Sequence, residues 1–338
     1  MSGVAHPSDS VVDMDDCAVC PPPPPGCMLV HTVDFFRSFV TDPFTFGKIA
    51  AVHALSDCHA MGAVPQTALA LAVAPFAANE DITEDTLVDM LCGASDKLTE
   101  DGCGLVGGHT CEGRELSLGF AVNGYLPKDM KPITKKGGEP GDVILITKRI
   151  GTGALFASEM RGKCQGGHRA TALESMCLSN GSAGRLIANS EFNVKAATDV
   201  TGFGLMGHLA EMLGGGVGAK IDIRKVPIFE GALEAARQGV YSSLQESNES
   251  ARRVVANHGS TAKVLPLHSK LLYDPQTSGG LIIVVAEEDE GKILVELKKF
   301  YPDACAIGKI VEEEEIGGIG AEEVEGTCTV KKLVKLEF

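Results

Sequence analysis

Two spacings of apolar residues alternate through the first third of the chain. A stripe with i, i+3, i+4 spacing begins after the breaker Asp42-Pro43 and stops at Gly62, which predicts an amphipathic helix. One member of the stripe is an acid, Asp57, which is unusual beside apolar residues; an Asp at the edge of the buried face is the alternative to a functional acid. The stripe comprises Phe46, Ile49, Ala50, His53 and Asp57.

Short apolar runs on both sides of this helix predict strands. In the first predicted strand, Thr32 and Asp34 alternate to one face. A capping-box pattern at Asp81 to Glu84 predicts the start of a second helix, which ends near Gly102. The predicted strands of this part cover residues 27–34, 67–75, 104–106 and 116–125.

The second half repeats this alternation, and the best linker candidate, Gly137 to Gly141, precedes it. The patterns predict an α+β or mixed α/β fold in two domains, 11–140 and 141–338, after a disordered start at 1–10. Strands are predicted near residues 143–147, 194–197, 219–223, 281–286, 304–311 and 327–336. Helices are predicted near residues 170–189, 229–238 and 291–300, with a polar excursion at 243–260.

Composition narrows the class of partner. The chain of 338 residues has a formal net charge of -15, which argues against nucleic acids and anionic membrane surfaces. Because the chain is acidic, an anionic substrate would need metal ions or helix N-termini in order to bind. Because no apolar run is long enough to span a bilayer and no signal peptide is visible, we predict a cytoplasmic protein.

The eleven cysteines are scattered and odd in number, which is not typical of a small secreted disulfide scaffold. Most are expected to be buried thiols in a reducing compartment. Cys17 and Cys20 form a lone C-x-x-C without a partner pair at zinc spacing. The run Pro21 to Pro25 follows, and it suits either a stiff hairpin connection or a polyproline recognition motif.

Residues 194–209 combine a buried strand, a lone carboxylate and a glycine-rich turn before an amphipathic helix. The strand delivers Asp199 into the turn at Gly202-Phe203-Gly204. A carboxylate followed by glycines suits a hard cation beside a phosphate, because the backbone can approach the ligand. The same pattern suits a tight strand-to-helix connection with a capping Asp, and this stretch alone leaves both interpretations open.

Acids beside small residues recur at the ends of other predicted elements, and a glycine pair, Gly107-Gly108, comes before His109 and Thr110. Together they suggest a Mg²⁺-nucleotide site built from carboxylates. The chain contains no G-x-x-x-x-G-K-[ST] loop and no H-R-D or D-F-G motif, which excludes P-loop enzymes and protein kinases. The acids are Asp16, Asp34, Asp57 and Asp199.

Five segments, in order and with plausible spacing, resemble the selenophosphate synthetase (selenide, water dikinase) family. More distantly, the chain is similar to aminoimidazole ribonucleotide synthetase and thiamine-monophosphate kinase. The resemblance runs from about Val11 to the C-terminus. The segments are His31–Phe36 (HTVDFF), Ala54–Gly62 (ALSDCHAMG), Gly107–Thr110 (GGHT), Thr198–Gly204 (TDVTGFG) and Asp274–Gly280 (DPQTSGG).

This resemblance implies a two-domain α+β fold of the aminoimidazole ribonucleotide synthetase type and a homodimer whose N-terminal sheets pair into a barrel. It implies that ATP, selenide and water give selenophosphate, AMP and phosphate. The implied Mg²⁺ ligands are Asp16, Asp57 and Asp199. The implied contacts to ATP are Asp13, Met14, Asp15, Asp34 and Asp57, with Gly108, His109 and Thr110 reaching the nucleotide across the dimer.

The chain departs from the family pattern at its start. The family carries a catalytic Cys or selenocysteine and a Lys upstream of the motif at Asp16, whereas the fifteen residues before Asp16 contain no Lys, Arg or Cys. We therefore assign no catalytic residue and expect Mg-ATP binding with little selenophosphate formation. The chain is expected to be part of a longer or fused polypeptide. Two alternatives are a nucleotide-binding paralogue that acts in regulation and a superfamily relative acting on another substrate. His53 stands where the family usually has Asn.

Overall fold

The structure is a computed structural model that describes residues 17–77, 79–214, 216–316 and 334–337. Its contacts divide these residues into two units, 17–132 with 176–188, and 133–175 with 189–337. The predicted sites at Asp13, Met14, Asp15 and Asp16 lie outside the described residues. The predicted division into domains at 11–140 and 141–338, with a disordered start, stays a prediction.

Ten strands and eleven α-helices lie in the described part of the chain. The strands are β1 Met28–Arg37, β2 Val64–Pro75, β3 Gly104–Gly113, β4 Ser117–Leu126, β5 Val143–Ile146, β6 Val194–Asp199, β7 Val217–Asp222, β8 Leu281–Val285, β9 Cys305–Glu312 and β10 Val334–Glu337. The helices are α1 Pro43–Ala60, α2 Glu80–Glu100, α3 Thr152–Glu159, α4 Gly166–Met176, α5 Gly181–Ile187, α6 Gly204–Met212, α7 Glu230–Arg237, α8 Gln245–Asn248, α9 His258–Val264, α10 Pro266–Leu271 and α11 Glu290–Lys298.

The first unit is a four-stranded sheet, in the order β1-β4-β2-β3, with α1 and α2 packed against it. Helix α1 starts where the sequence predicts, because Asp42 accepts a hydrogen bond from Thr45 N at 2.9 Å and Pro43 occupies its first turn. The two helices cross in close contact. A Cβ atom on Gly47 would collide with the carbonyl oxygen of Met90, and one on Gly93 would collide with that of Phe44.

The other face of this sheet carries apolar side chains that are exposed to solvent. In the register of β1, β4 and β2, Val33 lies opposite Ala121 and Ala121 lies opposite Leu69, all on one face. The exposed members are Leu29, Val33, Phe35, Val64, Leu69 and Leu71, which are 38% to 60% exposed. Such a contiguous apolar face on a sheet is typical of an interface.

The second unit contains a mixed six-stranded sheet in the order β10-β7-β9-β5-β8-β6. Strands β5 and β8 are buried at every position, which explains their continuous apolar sequence. Helix α6 packs against β6. The core of this unit includes Ile144, Ile146, Leu205, Leu209, Ile282, Val284 and Ile307.

Side-chain hydrogen bonds explain two of the differences from the predicted elements. Asn79, and not Asp81, caps α2 by accepting from Asp81 N at 3.1 Å. The helix predicted over 170–189 is two helices, because Asn180 donates to Ser56 Oγ at 2.9 Å and Ser179 donates to Asp101 between them. The predicted polar excursion at 243–260 is largely helical, with α8 followed by a 3-10 turn.

The proline run ends in a tight turn. Cys27 N donates to Pro24 O at 3.2 Å, and Gly26 has a φ of +87°, a conformation that glycine tolerates best. Gln66 Nε2 donates to Pro21 O at 3.1 Å, so the run is tied to the start of β2. Within the described ranges, no helix combines the length and the apolar character needed to cross a membrane.

Candidate functional site

A pair of carboxylates lies where β1 meets α1. The alternation of β1 places Thr32 and Asp34 on the face that packs against α1, and Thr32 Oγ1 donates to Asp57 Oδ2 at 2.5 Å. The Asp34 side chain remains 34% exposed. Burial, followed by the charge of Asp57, raises the pKa of Asp34 to about 6. The pair therefore favours binding of a cation, which would relieve the repulsion.

Helix α1 places further groups around this pair. His53 Nε2 lies 3.9 Å from Asp34 Oδ1, and its ring meets Phe36 edge-on with 5.0 Å between centroids. The thiol of Cys58 is buried, and burial together with Asp57 raises its pKa to about 12. Cys58 is therefore a protonated core residue at neutral pH, although it follows the site acid directly.

The glycine pair lies within β3, which is longer than the predicted strand at 104–106. A Cβ atom on Gly108 would collide with the carbonyl oxygen of Ala70 on β2, so the sheet itself requires glycine here. His109 and Thr110 follow on this edge strand and are exposed. Both side chains are therefore accessible to a ligand or to a second chain.

Asp199 ends β6 in the second unit and is buried, 7% exposed. Its neighbour in the ladder is Leu281 of β8. Val200 N then donates to Gly280 O at 2.8 Å, and Gly204 opens α6 with a φ of +70°. The local structure is a strand, a turn and a helix, as the sequence predicts.

The segment Asp274–Gly280 folds over the start of α3. Gln276 Oε1 accepts from Gly151 N at 2.8 Å and from Thr152 N and Oγ1 at 3.1 Å each. Its amide nitrogen donates to Asp274 O at 2.7 Å. Gln276 therefore supplies the N-terminal cap of a helix whose own N-cap residue is Gly151.

Asp274 itself is fully buried beside this helix start. Burial raises its pKa to about 7, although the N–H groups of Ala154 and Gly153 and the Gln276 amide act in the opposite direction. Within the described chain, Oδ1 has no hydrogen bond of ordinary geometry, which explains why burial dominates. The folded chain thus favours the protonated form of this carboxyl group more than an ordinary Asp does.

Three segments interlock around Asp199 in the second unit: 147–152, 199–204 and 274–280. A Cβ atom on Gly279 would collide with the Val200 carbonyl oxygen, and one on Gly280 would lie 2.6 Å from Lys148 N. The buried Lys148 donates from Nζ to Ser278 O at 3.3 Å. The two glycines and the segment 147–152 therefore fix the backbone directly after Asp199.

Two family descriptions match the chain. Residues 14–126 match "AIR synthase related protein, N-terminal domain", and 139–320 match the C-terminal domain of the same name. A selenide, water dikinase of Pelobacter propionicus is 39% identical over 287 residues, covering 84% of this chain and 80% of the relative. One from Caldanaerobacter subterraneus is 37% identical over 290 residues, covering 85% of this chain and 81% of that relative. The chain belongs to the selenide, water dikinase family.

Solved structures of other proteins share the fold. A thiamine-monophosphate kinase of Stenotrophomonas maltophilia has a TM-score of 0.66 at 20% identity, covering 96% of this chain and 89% of that one. The hydrogenase maturation protein HypE in complex with ATP has a TM-score of 0.67 at 19% identity, covering 92% of this chain and 84% of that one. The predicted membership in the selenide, water dikinase family and the mixed α/β fold of two such domains are confirmed.

The predicted site residues of this dikinase family member belong to different units. Asp34, Asp57 and Gly108 to Thr110 belong to the first unit, and Asp199 belongs to the second. No three His, Cys, Asp or Glu side chains are placed to hold a metal among the residues described. The roles assigned to these residues stay predictions.

Sequence reasoning did not predict two contacts near the dikinase motifs. One is the hydrogen bond from Thr32 to Asp57, although the alternation of the first strand had placed Thr32 on the face of Asp34. The other is the cap that Gln276 provides to α3. The available signal was that Gly151, at the start of this helix, is not a Ser, Thr or Asp and so cannot cap the helix with its own side chain.

Proposed function

We propose that this chain carries out the selenide, water dikinase reaction, in which ATP, selenide and water give selenophosphate, AMP and phosphate. The observation that carries the proposal is its identity of 34% to 39% to curated relatives with that name, over about 85% of the chain. These relatives do not favour the alternative of a regulatory nucleotide-binding paralogue. Location in the cytoplasm stays a prediction.

We further propose that Asp57 and Asp199, with Asp16 outside the described residues, hold Mg²⁺. Carboxylate oxygens are the donors that Mg²⁺ prefers, and the mutual repulsion of Asp34 and Asp57 in this structure fits a cation site. Bound Mg²⁺ would neutralise part of the charge of the triphosphate. ATP would contact Asp34 and the stretch Asp13, Met14 and Asp15.

The described residues have roles of their own in this proposal. Thr32 orients the Asp57 carboxylate through its 2.5 Å hydrogen bond, and His53 beside Asp34 restricts that side chain. The Gln276 cap and the glycines at 279 and 280 fix the backbone next to Asp199. Phosphoryl transfer depends mainly on such positioning and on charge compensation.

Product analysis tests the proposed reaction. We expect selenide-dependent formation of AMP and selenophosphate from ATP in the presence of Mg²⁺, with the reaction monitored by anaerobic phosphorus NMR. Without Mg²⁺, ATP binding measured by calorimetry should be weak because the acids repel the phosphates. Release of ADP alone, or turnover independent of selenide, would refute the proposal.

We also propose a homodimer in which the exposed apolar faces of the N-terminal sheets pair into a barrel. Six apolar side chains on that face are 38% to 60% exposed, which is costly in water and is relieved by burial against a second copy. Gly108, His109 and Thr110 lie on the edge strand β3 of the same sheet. Each protomer would thereby offer them to the nucleotide bound by its partner.

A charge on this face should separate the protomers. We expect Val33→Glu combined with Leu69→Glu to give a monomer at micromolar concentration by light scattering, because two buried charges would face apolar side chains. ATP binding should weaken at least about tenfold as the partner's contribution is lost. Val295→Glu, at an exposed apolar position on α11, is the control. A double variant that remains dimeric would exclude this face as the interface.

A further inference from the structure

The turn that joins β6 to α6 depends on groups outside it. Gln276 N donates to Thr201 O at 3.0 Å, and Asn248 Nδ2 donates to Gly202 O at 2.7 Å. Phe203 is the N-cap residue of α6, and its side chain makes no capping hydrogen bond in the part of the chain described. The backbone N–H of Thr201, at the start of this turn, donates to a side chain of α6.

His208 provides that acceptor from the second turn of α6. Its Nε2 accepts from Thr201 N at 3.0 Å, and Thr201 Oγ1 lies 3.1 Å from the same nitrogen. The side chain is buried. A His within a helix thus reaches back over the helix start and fixes the residue two positions after Asp199.

This contact specifies one form of the imidazole ring. An Nε2 that accepts from a backbone N–H carries no proton, so the proton is on Nδ1. Nδ1 faces Glu211 Oε2 at 3.7 Å, and Lys135 Nζ lies 2.6 Å from the same oxygen of Glu211. The carboxylate is therefore placed to favour the tautomer that the turn requires.

Packing shields the contact from water. The ring of Phe203 lies over His208 with 5.6 Å between centroids and a tilt of 52°. Phe203 can fold back in this way because residue 207 is glycine; a Cβ atom on Gly207 would lie 2.7 Å from Phe203 Cβ. A buried hydrogen bond of this kind is costly to lose.

We infer that His208 is a positioning residue, which holds the turn at Thr201 so that Asp199 presents its carboxylate to a divalent cation. The inference rests on the proposed function, in which Asp199 is a Mg²⁺ ligand. His208 acts through the backbone of Thr201 and does not itself contact the cation. Its acceptor nitrogen is the feature that matters, more than its volume.

Three substitutions test whether the acceptor nitrogen of His208 or the volume of its side chain is what matters. His208→Leu fills the space without an acceptor. His208→Gln places an amide oxygen about where Nε2 lies, whereas the shorter His208→Asn cannot reach Thr201 N. Met212→Leu, at a buried position at the other end of α6, controls for repacking of the helix.

Cation binding is measured without turnover, by electron paramagnetic resonance of Mn²⁺ at a fixed concentration of the non-hydrolysable analogue AMPPNP. We expect the Leu and Asn variants to raise the half-saturating Mn²⁺ concentration about tenfold, the effect of one buried hydrogen bond. The Gln variant and the Met212 control should remain within about threefold of the parent. Hydrogen exchange of the peptide that covers 201–204, without ligand, should be faster in the Leu and Asn variants alone.

Several results would overturn the inference. Parent-like Mn²⁺ binding in all three variants, or an equal loss in all three, would show that the acceptor is irrelevant. Failure of both the Leu and the Asn variant to fold would show that the bond serves the whole fold. If the parent does not bind Mn²⁺ with AMPPNP, the proposed function fails and this inference fails with it; binding by the parent with no effect of Leu or Asn refutes the inference alone.

Discussion

Asp57→Asn should weaken Mg²⁺-dependent binding of ATP by a factor on the order of 100 and leave the fold intact. Asn has the shape of Asp and retains an oxygen that can accept from Thr32 Oγ1, so α1 and β1 should pack as before. What it loses is the negative charge, which provides most of the attraction for Mg²⁺. Calorimetric titration with ATP at saturating and at zero Mg²⁺ measures the difference.

Two comparisons sharpen this experiment. Asp96→Asn removes a carboxylate from α2 in the same unit, where it pairs with Lys48 at 3.5 Å on the surface, and should change ATP binding little. Thr32→Val keeps the charge of Asp57 but frees its orientation, and should cost about three- to tenfold. Parent-like affinity of Asp57→Asn in Mg²⁺ would remove this residue from the list of metal ligands.

The first unit illustrates how far local pattern predicts a site. Asp57 could be predicted as a site residue because an acid on an apolar helical stripe is unusual. The same stripe predicted the bounds of α1, Pro43–Ala60, to within about two residues. Asp34 followed from the alternation of β1. The raised pKa of Asp34 could not be predicted, since it arises from burial and from the charge of Asp57, which are consequences of packing.

Long-range hydrogen bonds set the limits of that prediction. The interruption between α4 and α5 depends on Ser56 and Asp101, more than seventy residues earlier in the chain. The sequence predicted that Gly108 contacts a ligand, but the close approach of the Ala70 carbonyl oxygen already requires glycine at this position. Sequence motifs thus locate special positions, while packing decides whether the reason is the fold, the ligand or both.

The segment Asp274–Gly280 is the strongest example. As a motif it carries part of the resemblance to the family, but the sequence does not show what each residue does. In the structure, Gln276 caps α3 and the two glycines permit close backbone contacts with Val200 and Lys148. Asp274 is buried among these groups with a pKa raised to about 7. Its ionisation should therefore affect the stability of the second unit.

Asp274→Asn should remove a pH dependence of stability from the protein. An ordinary Asp loses its proton near pH 4 in the unfolded chain, whereas Asp274 in the folded chain keeps its proton up to about pH 7. Between these values the folded state binds more protons, so the free energy of unfolding of the parent falls as the pH rises. A shift of about three units corresponds to about 4 kcal/mol, an upper bound for a site that can relax.

The measurement is the free energy of unfolding in urea, at intervals from pH 4 to pH 8, for the parent, for Asp274→Asn and for Asp303→Asn. Relative to the parent, we expect the stability of Asp274→Asn to rise by up to about 4 kcal/mol over this range, because the neutral amide has no charge to bury. Asp303 pairs with Arg149 near the surface of the same unit, so its variant should follow the parent closely. A constant difference between the parent and Asp274→Asn across the range would mean that Asp274 ionises as an ordinary carboxyl, and that its burial is offset by the N–H groups at the start of α3.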